Sequence, residues 1–187
     1  MNKQKKIVGA LVTLVVLVFT SYVLIGCGSS GVSNTTTGTT EIPGLPPNPG
    51  EAGKATLAGI DSDHDGVRDD VQRYIATTYP NSAKTRAALT QIAKVMQAAL
   101  LDATDKEKSI LHAEESDRSI TCLVYVAGSV STERQLRLAL MPVALNTDAR
   151  NKAYFMYDDQ LGGQVFSGTP YDQRAAACDF NVAALPN

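Results

Sequence analysis

The stretch that most limits how this chain folds is Asp61-Ser62-Asp63-His64-Asp65-Gly66-Val67-Arg68-Asp69-Asp70-Val71-Gln72. Three carboxylates at alternating positions repel one another unless something compensates them. A tightly wound loop turns its first, third and fifth residues inward, so Asp61, Asp63 and Asp65 converge. Gly66 follows directly and permits the sharp turn that a side chain resists. A hard cation such as calcium wants roughly six to eight oxygens, which this spacing is suited to supply. Counted from Asp61, Val67 stands seventh and offers its backbone carbonyl. Asp69 stands ninth and binds directly or through water, and Gln72 stands twelfth. His64 stands fourth, where a side chain points outward, and is not read as a ligand. The competing reading is a solvated acidic turn ahead of a helix, whose exposed N–H groups favour Asp69 and Asp70 in any case.

The pattern Asp-X-Asp-X-Asp-Gly-X-X-Asp resembles the calcium loops of thrombospondin type 3 repeats, dockerins and EF-hands. Asp61, Asp63, Asp65, Gly66 and Asp69 match it. The resemblance implies a structural Ca2+ held by Asp61, Asp63, Asp65, Val67, Asp69 and Gln72. Gln72 departs from it, because an EF-hand places a bidentate Glu there. A neutral amide gives a single oxygen and no charge, so affinity falls to the level of exported calcium modules, about 10⁻⁴ to 10⁻³ M. The motif occurs once in the chain. Asp70 lies close enough to be weighed as a substitute carboxylate.

Ahead of the loop lies what reads as delivery apparatus. Lys3, Lys5 and Lys6 give a basic start, and Ile7 to Ile25 is almost wholly apolar. That is the layout of a secretory signal, and the run is also just long enough to serve as an anchor helix. It ends in Leu24-Ile25-Gly26-Cys27, which resembles the signal and box of a bacterial lipoprotein precursor, with Leu24, Gly26 and Cys27 matching. The resemblance implies cleavage after residue 26 and acyl chains on Cys27, hence attachment to a membrane. Two or more chains make a stable anchor where one does not. It also implies a place in the bacterial cell envelope, lipid-anchored. Gly28 stands where an Asp retains Gram-negative members at the inner membrane, so the outer membrane is expected in such a cell.

Cleavage removes the three signal lysines from 17 Lys+Arg, leaving 14 against 19 Asp+Glu, a net charge of -5. That balance argues against nucleic acid, which wants a basic patch. Residues 27–54 read as a tether. Gly28 to Thr40 is mostly Ser, Thr and Gly with almost nothing to bury. Glu41 to Gly53 carries Pro43, Pro46, Pro47 and Pro49 and is stiffer but still unfolded.

Residues 55–187 read as one all-α domain, a small bundle of about five to six helices preceded by the acidic loop. Val71, Tyr74 and Ile75 start a short helix that Tyr79-Pro80 breaks. Leu89, Ile92, Ala93, Met96, Ala99 and Leu100 mark the next, capped by Asn81 or Ser82, with Gln91 at a wetter position. A third follows Thr104 or Asp105, although Ile120 to Val126 also fits a buried strand. Ser131 caps a fourth over Thr132 to Met141, where Pro142 ends or kinks it. Thr147 caps a fifth, Asp148 to Leu161, and a last short helix spans Asp172 to Phe180. The bulky core candidates are Tyr74, Tyr79, Tyr125, Tyr154, Phe155, Tyr157, Tyr171 and Phe180.

With Cys27 assigned to lipid, Cys122 and Cys178 remain as an even pair in an exported chain, which predicts a disulfide. Closing so long a loop is worth about 2–4 kcal/mol. No catalytic constellation stands out. His112 is expected on a helix surface, without the His-Glu-X-X-His pattern of a metalloprotease. The function expected is a calcium-stabilised interaction or structural module, with an envelope or surface protein or glycan as partner. The alternative is a cell-envelope hydrolase that uses His112 or the bound ion.

Overall fold

Helices form where an apolar repeat at helical spacing follows an oxygen-bearing side chain, and four of the five α-helices start that way. In the computed structural model, which describes residues 44–187, they are α1 (Asp69–Thr78), α2 (Ala83–Leu101), α3 (Lys106–Ala127), α4 (Val130–Ala144) and α5 (Asp148–Gln160). Three 3-10 helices complete the set: Gly50–Lys54, the strap Tyr171–Ala177, and Val182–Ala184. The described residues contain no strand, so the fold is an all-helical bundle. The apolar run, the Cys27 box and the Ser/Thr/Gly part of the tether lie outside the described residues. No helix among the described residues is long and apolar enough to cross a membrane.

The caps are specific. Ser82 Oγ accepts from Thr85 N at 3.2 Å, Asp105 Oδ1 from Lys108 N at 3.1 Å, and Thr147 Oγ1 from Arg150 N at 3.2 Å. Each satisfies a backbone donor that the first helical turn leaves free, worth about 1 kcal/mol. The cap of α4 is Ser129, not the expected Ser131, with Thr132 N at 3.1 Å. Pro142 does not end α4, which continues to Ala144. Residues 120–126 are helical rather than strand, because they continue the long α3 that packs along α2. The last short helix is a 3-10 turn that stops at Ala177, and Phe180 lies outside it.

The core is aliphatic. Val67, Val71 and Ile75 meet Leu89, Ile92, Leu123 and Leu140 in one cluster, and Ala99, Leu100, Ala153 and Tyr157 form a second. Of the aromatic candidates only Tyr157 is buried, while Tyr74, Tyr79, Tyr154 and Phe180 pack partly against the clusters. Tyr125, Phe155 and Tyr171 are exposed, which corrects the expectation. The buried positions of the two clusters are filled mainly by Ala, Leu, Ile and Val. Burying one such Leu is worth a Leu→Ala cost of about 2–5 kcal/mol.

Two cross-links fasten the C-terminal end. The Cys122–Cys178 disulfide joins α3 to the residue after the strap. Gln91, expected at a wet position, is instead buried: its Nε2 donates to Ala177 O at 2.9 Å and its Oε1 accepts from Asp179 N at 3.3 Å. The other end is fastened as well. Residues 46–54, expected as free tether, join the fold: Pro46 is buried, its carbonyl accepts from Arg73 Nη1 at 2.6 Å, and Gly50–Lys54 is helical.

Candidate metal centre

The acidic loop folds through its own carboxylates. Asp61 Oδ1 accepts from Asp65 N at 3.2 Å and Oδ2 from Gly66 N at 3.0 Å. Asp65 Oδ1 accepts from Val67 N at 2.7 Å. These bonds curl the chain so that one oxygen from each of Asp61, Asp63 and Asp65 lies within 4.8 Å of the others. The curl needs left-handed backbone at Gly66 (φ 88°), which glycine adopts freely, and at His64 (φ 58°), where a side chain is uncommon. His64 is exposed, as its outward position implies.

The other expected ligands fall differently. Val67 buries its side chain in the core and can offer only its carbonyl. Asp69 is buried, and its oxygens hold Ser62, accepting from Ser62 N and Oγ at 2.9 Å each. Its own N–H donates to Ile60 O at 2.8 Å. Asp69 therefore ties the two ends of the loop together and does not join the Asp61, Asp63, Asp65 group. Asp70, the possible substitute, is taken by Arg68 and Asn146, all at 2.9 Å.

Gln72 reaches back across the loop. Its Nε2 donates to Asp63 Oδ2 at 3.0 Å, while its Oε1 is buried without a hydrogen-bond partner. The Gln72 bond is the chief cause holding the Asp63 carboxyl below its usual range. Asp65 is pushed up, first by burial and then by repulsion from Asp63 and Asp61. The charge of Lys94 opposes that repulsion. The donor set is all oxygen, the kind a hard cation such as calcium takes and a soft one does not. Asp61, Asp63 and Asp65 would hold such an ion, with the Gln72 amide beside Asp63.

Directly behind the loop lies a network that sequence reading missed. Arg68 and Arg150 are 2% and 0% exposed. Arg68 donates to the Ala144 and Val143 carbonyls at 2.8 and 2.9 Å as well as to Asp70. Arg150 donates to the carbonyls of Gly53 (2.7 Å), Thr56 (3.0 Å) and Leu57 (3.2 Å), and to Asn146 Oδ1. Burial and the neighbouring Arg68 push the Arg150 pKa down. For Asp70 burial acts upward, but the bonds and charge of Arg68 outweigh it and hold the carboxyl low. Gly59 (φ 71°) makes room: a Cβ there would sit 2.5 Å from Arg68 Cδ and 2.8 Å from Arg150 Nη2. Arg150 had a sequence signal, since it precedes Ala153 and Tyr157 by three and seven residues on the buried stripe of α5.

His112 is buried, not on the surface as expected. Its Nε2 lies 3.0 Å from Asp102 Oδ2 and its Nδ1 3.0 Å from Glu115 Oε2. Burial alone would lower its pKa, but the two carboxylates outweigh it and raise it. With a carboxylate on each side, both ring nitrogens are engaged. Asp102 also takes Lys108 Nζ at 2.8 Å, so the cluster closes the α2–α3 turn.

No protein-family model, curated protein or solved structure matches this chain. The site therefore rests on its own geometry.

Proposed function

We propose that this protein is a lipid-anchored module of the bacterial cell envelope, whose helical domain is stabilised by Ca2+ at the 61–72 loop. Cys27 carries the lipid, the signal 1–26 is removed, and the tether carries the domain away from the membrane. The domain serves an interaction or structural role. The observation that carries the cation is the convergence of Asp61, Asp63 and Asp65 immediately ahead of α1. The anchor rests on the ordered succession of basic start, apolar run and Leu24-Ile25-Gly26-Cys27 box. The buried Gln72 Oε1 without a partner adds support. A cation in the loop would favour an amide rotated so that its oxygen, rather than its N–H, meets the group.

The test of the cation is calorimetric titration with calcium, alongside magnesium, of the protein and its Asp63→Ala variant. Calcium binding in the millimolar range or tighter, lost in the variant, is the expected result; no heat at millimolar calcium sinks it. Mass spectrometry of the protein purified from a bacterial membrane reads the anchor, as a Cys27 N-terminus carrying acyl mass. The hydrolase reading gains nothing from His112, whose two ring nitrogens are both engaged.

A further inference from the structure

The strap and the α3–α4 corner enclose an open groove of about 590 Å³. Tyr125 and Val130 form one wall, and Tyr171, Asp172 and Arg174 the other, with Ser129 between α3 and α4. Tyr125 is 47% and Tyr171 79% exposed, in a chain that has few aromatics and no Trp. These two rings are held on elements that the disulfide locks together. Cys122 lies one helical turn before Tyr125 on α3, and Cys178 directly follows the strap. Their separation is therefore fixed before any ligand arrives, which removes an ordering cost from binding.

The charged groups that line the groove form no salt bridge among the described residues. Arg174 lies 4.2 Å over the Tyr171 ring, which positions both, and no carboxylate pairs with it among the described residues. Asp172 likewise has no cationic partner among them. One acid and one base leave the groove without net charge. A polyanion would want several basic groups there, and so would an anionic membrane surface. An amphipathic partner helix would want a row of large aliphatic anchors, and the groove exposes only Val130, with Val124 half-buried and Ala175 small. What matches is an uncharged ligand with apolar C–H faces for the rings and hydroxyl pairs for a guanidinium fork and a carboxylate. We propose that this groove binds a neutral segment of an oligosaccharide, stacked on Tyr125 and Tyr171 and hydrogen-bonded by Asp172 and Arg174. The proposal names a partner class for the interaction module above but depends on neither the cation nor the lipid.

The test uses the full chain in a detergent without a sugar headgroup. It is titrated with soluble β-1,4-linked N-acetylglucosamine oligomers and, separately, with α-1,4-linked glucose oligomers. Calorimetry reads binding, and tyrosine emission, undisturbed by tryptophan, reads the rings. Saturable binding of either sugar is expected, weakened about tenfold or more in Tyr171→Ala and in Tyr125→Ala. Both side chains are exposed, and circular dichroism confirms that the variants fold. No binding of either sugar at millimolar concentration overturns the proposal. So does binding that both variants leave unchanged, or a concentration-dependent dimer that Tyr171→Ala dissolves. Calcium titration of the same sample separates the two readings: sugar binding without calcium binding removes the cation and keeps the groove, and the reverse removes the groove.

Discussion

Two charged clusters lie back to back at the start of α1, and they are built on opposite terms. The loop gathers three carboxylates in a wet position, and none of them forms a salt bridge among the described residues. The network behind it buries two guanidiniums and answers them with five backbone carbonyls, Asp70 and Asn146. Water tolerates the incomplete set, because it solvates what the protein does not. The interior does not, since an unpaired charge there costs several kcal/mol. The dry cluster is thus finished by the chain itself, while the wet one has room for an ion.

The comparison is broken most severely by Arg150→Met. Methionine keeps the bulk but strands the Gly53, Thr56 and Leu57 carbonyls, and urea unfolding should show a loss of about 3 kcal/mol or more. A loss under about 1 kcal/mol would mean that the network holds little. Asp69→Ala comes next: it frees Ser62 N and Oγ at the neck of the loop. The expected cost is about 1–3 kcal/mol, read from the same melts. If the loop instead costs as much as the network, the contrast between wet and dry is wrong.

Calcium should act on one cluster only. At tenfold excess over its dissociation constant it adds about 1.4 kcal/mol, visible as a rise in Tm that Asp63→Ala abolishes. An equal rise in the variant would place the ion elsewhere. The His112 cluster sharpens the comparison through pH, because imidazolium titrates where guanidinium does not. Its folded-state pKa is raised above 6.5, so its contribution is full below that value and is lost as pH rises through the folded value. Tm should therefore fall across that window, and the fall should vanish in His112→Gln. The smallest effect is Asp63→Ala without calcium, within about 0.5 kcal/mol of the parent. A large loss there would show that the carboxylate carries structure, not an ion.

How much of this was legible depended on whether the signal was local. Ser82, Asp105 and Thr147 announce their helices because a cap and the turn it serves are three residues apart. The Asp61, Asp63, Asp65 convergence was readable for the same reason, being dictated by one turn of chain. Asp69 was not: its partner Ser62 is chosen by the way the loop neck closes on Ile60 O. Tyr125 and Tyr171 looked like core, since an aromatic side chain carries no mark of which face it takes. His112 looked superficial because its partner Asp102 sits ten residues back, across a turn. Arg68 gave no local sign of its role, as its carbonyl partners lie 75 and 76 residues away.

Arg150 has a mechanical consequence. It grips Gly53 across 97 residues of sequence, so tension arriving along the amino-terminal chain is passed to α5 before it can travel through the acidic loop. Arg73 takes up the strain earlier still, at Pro46. Under a pull on the amino-terminal chain, these two contacts would share the load across several hydrogen bonds. The domain would yield under pulling as a unit, not peel open from its first residue.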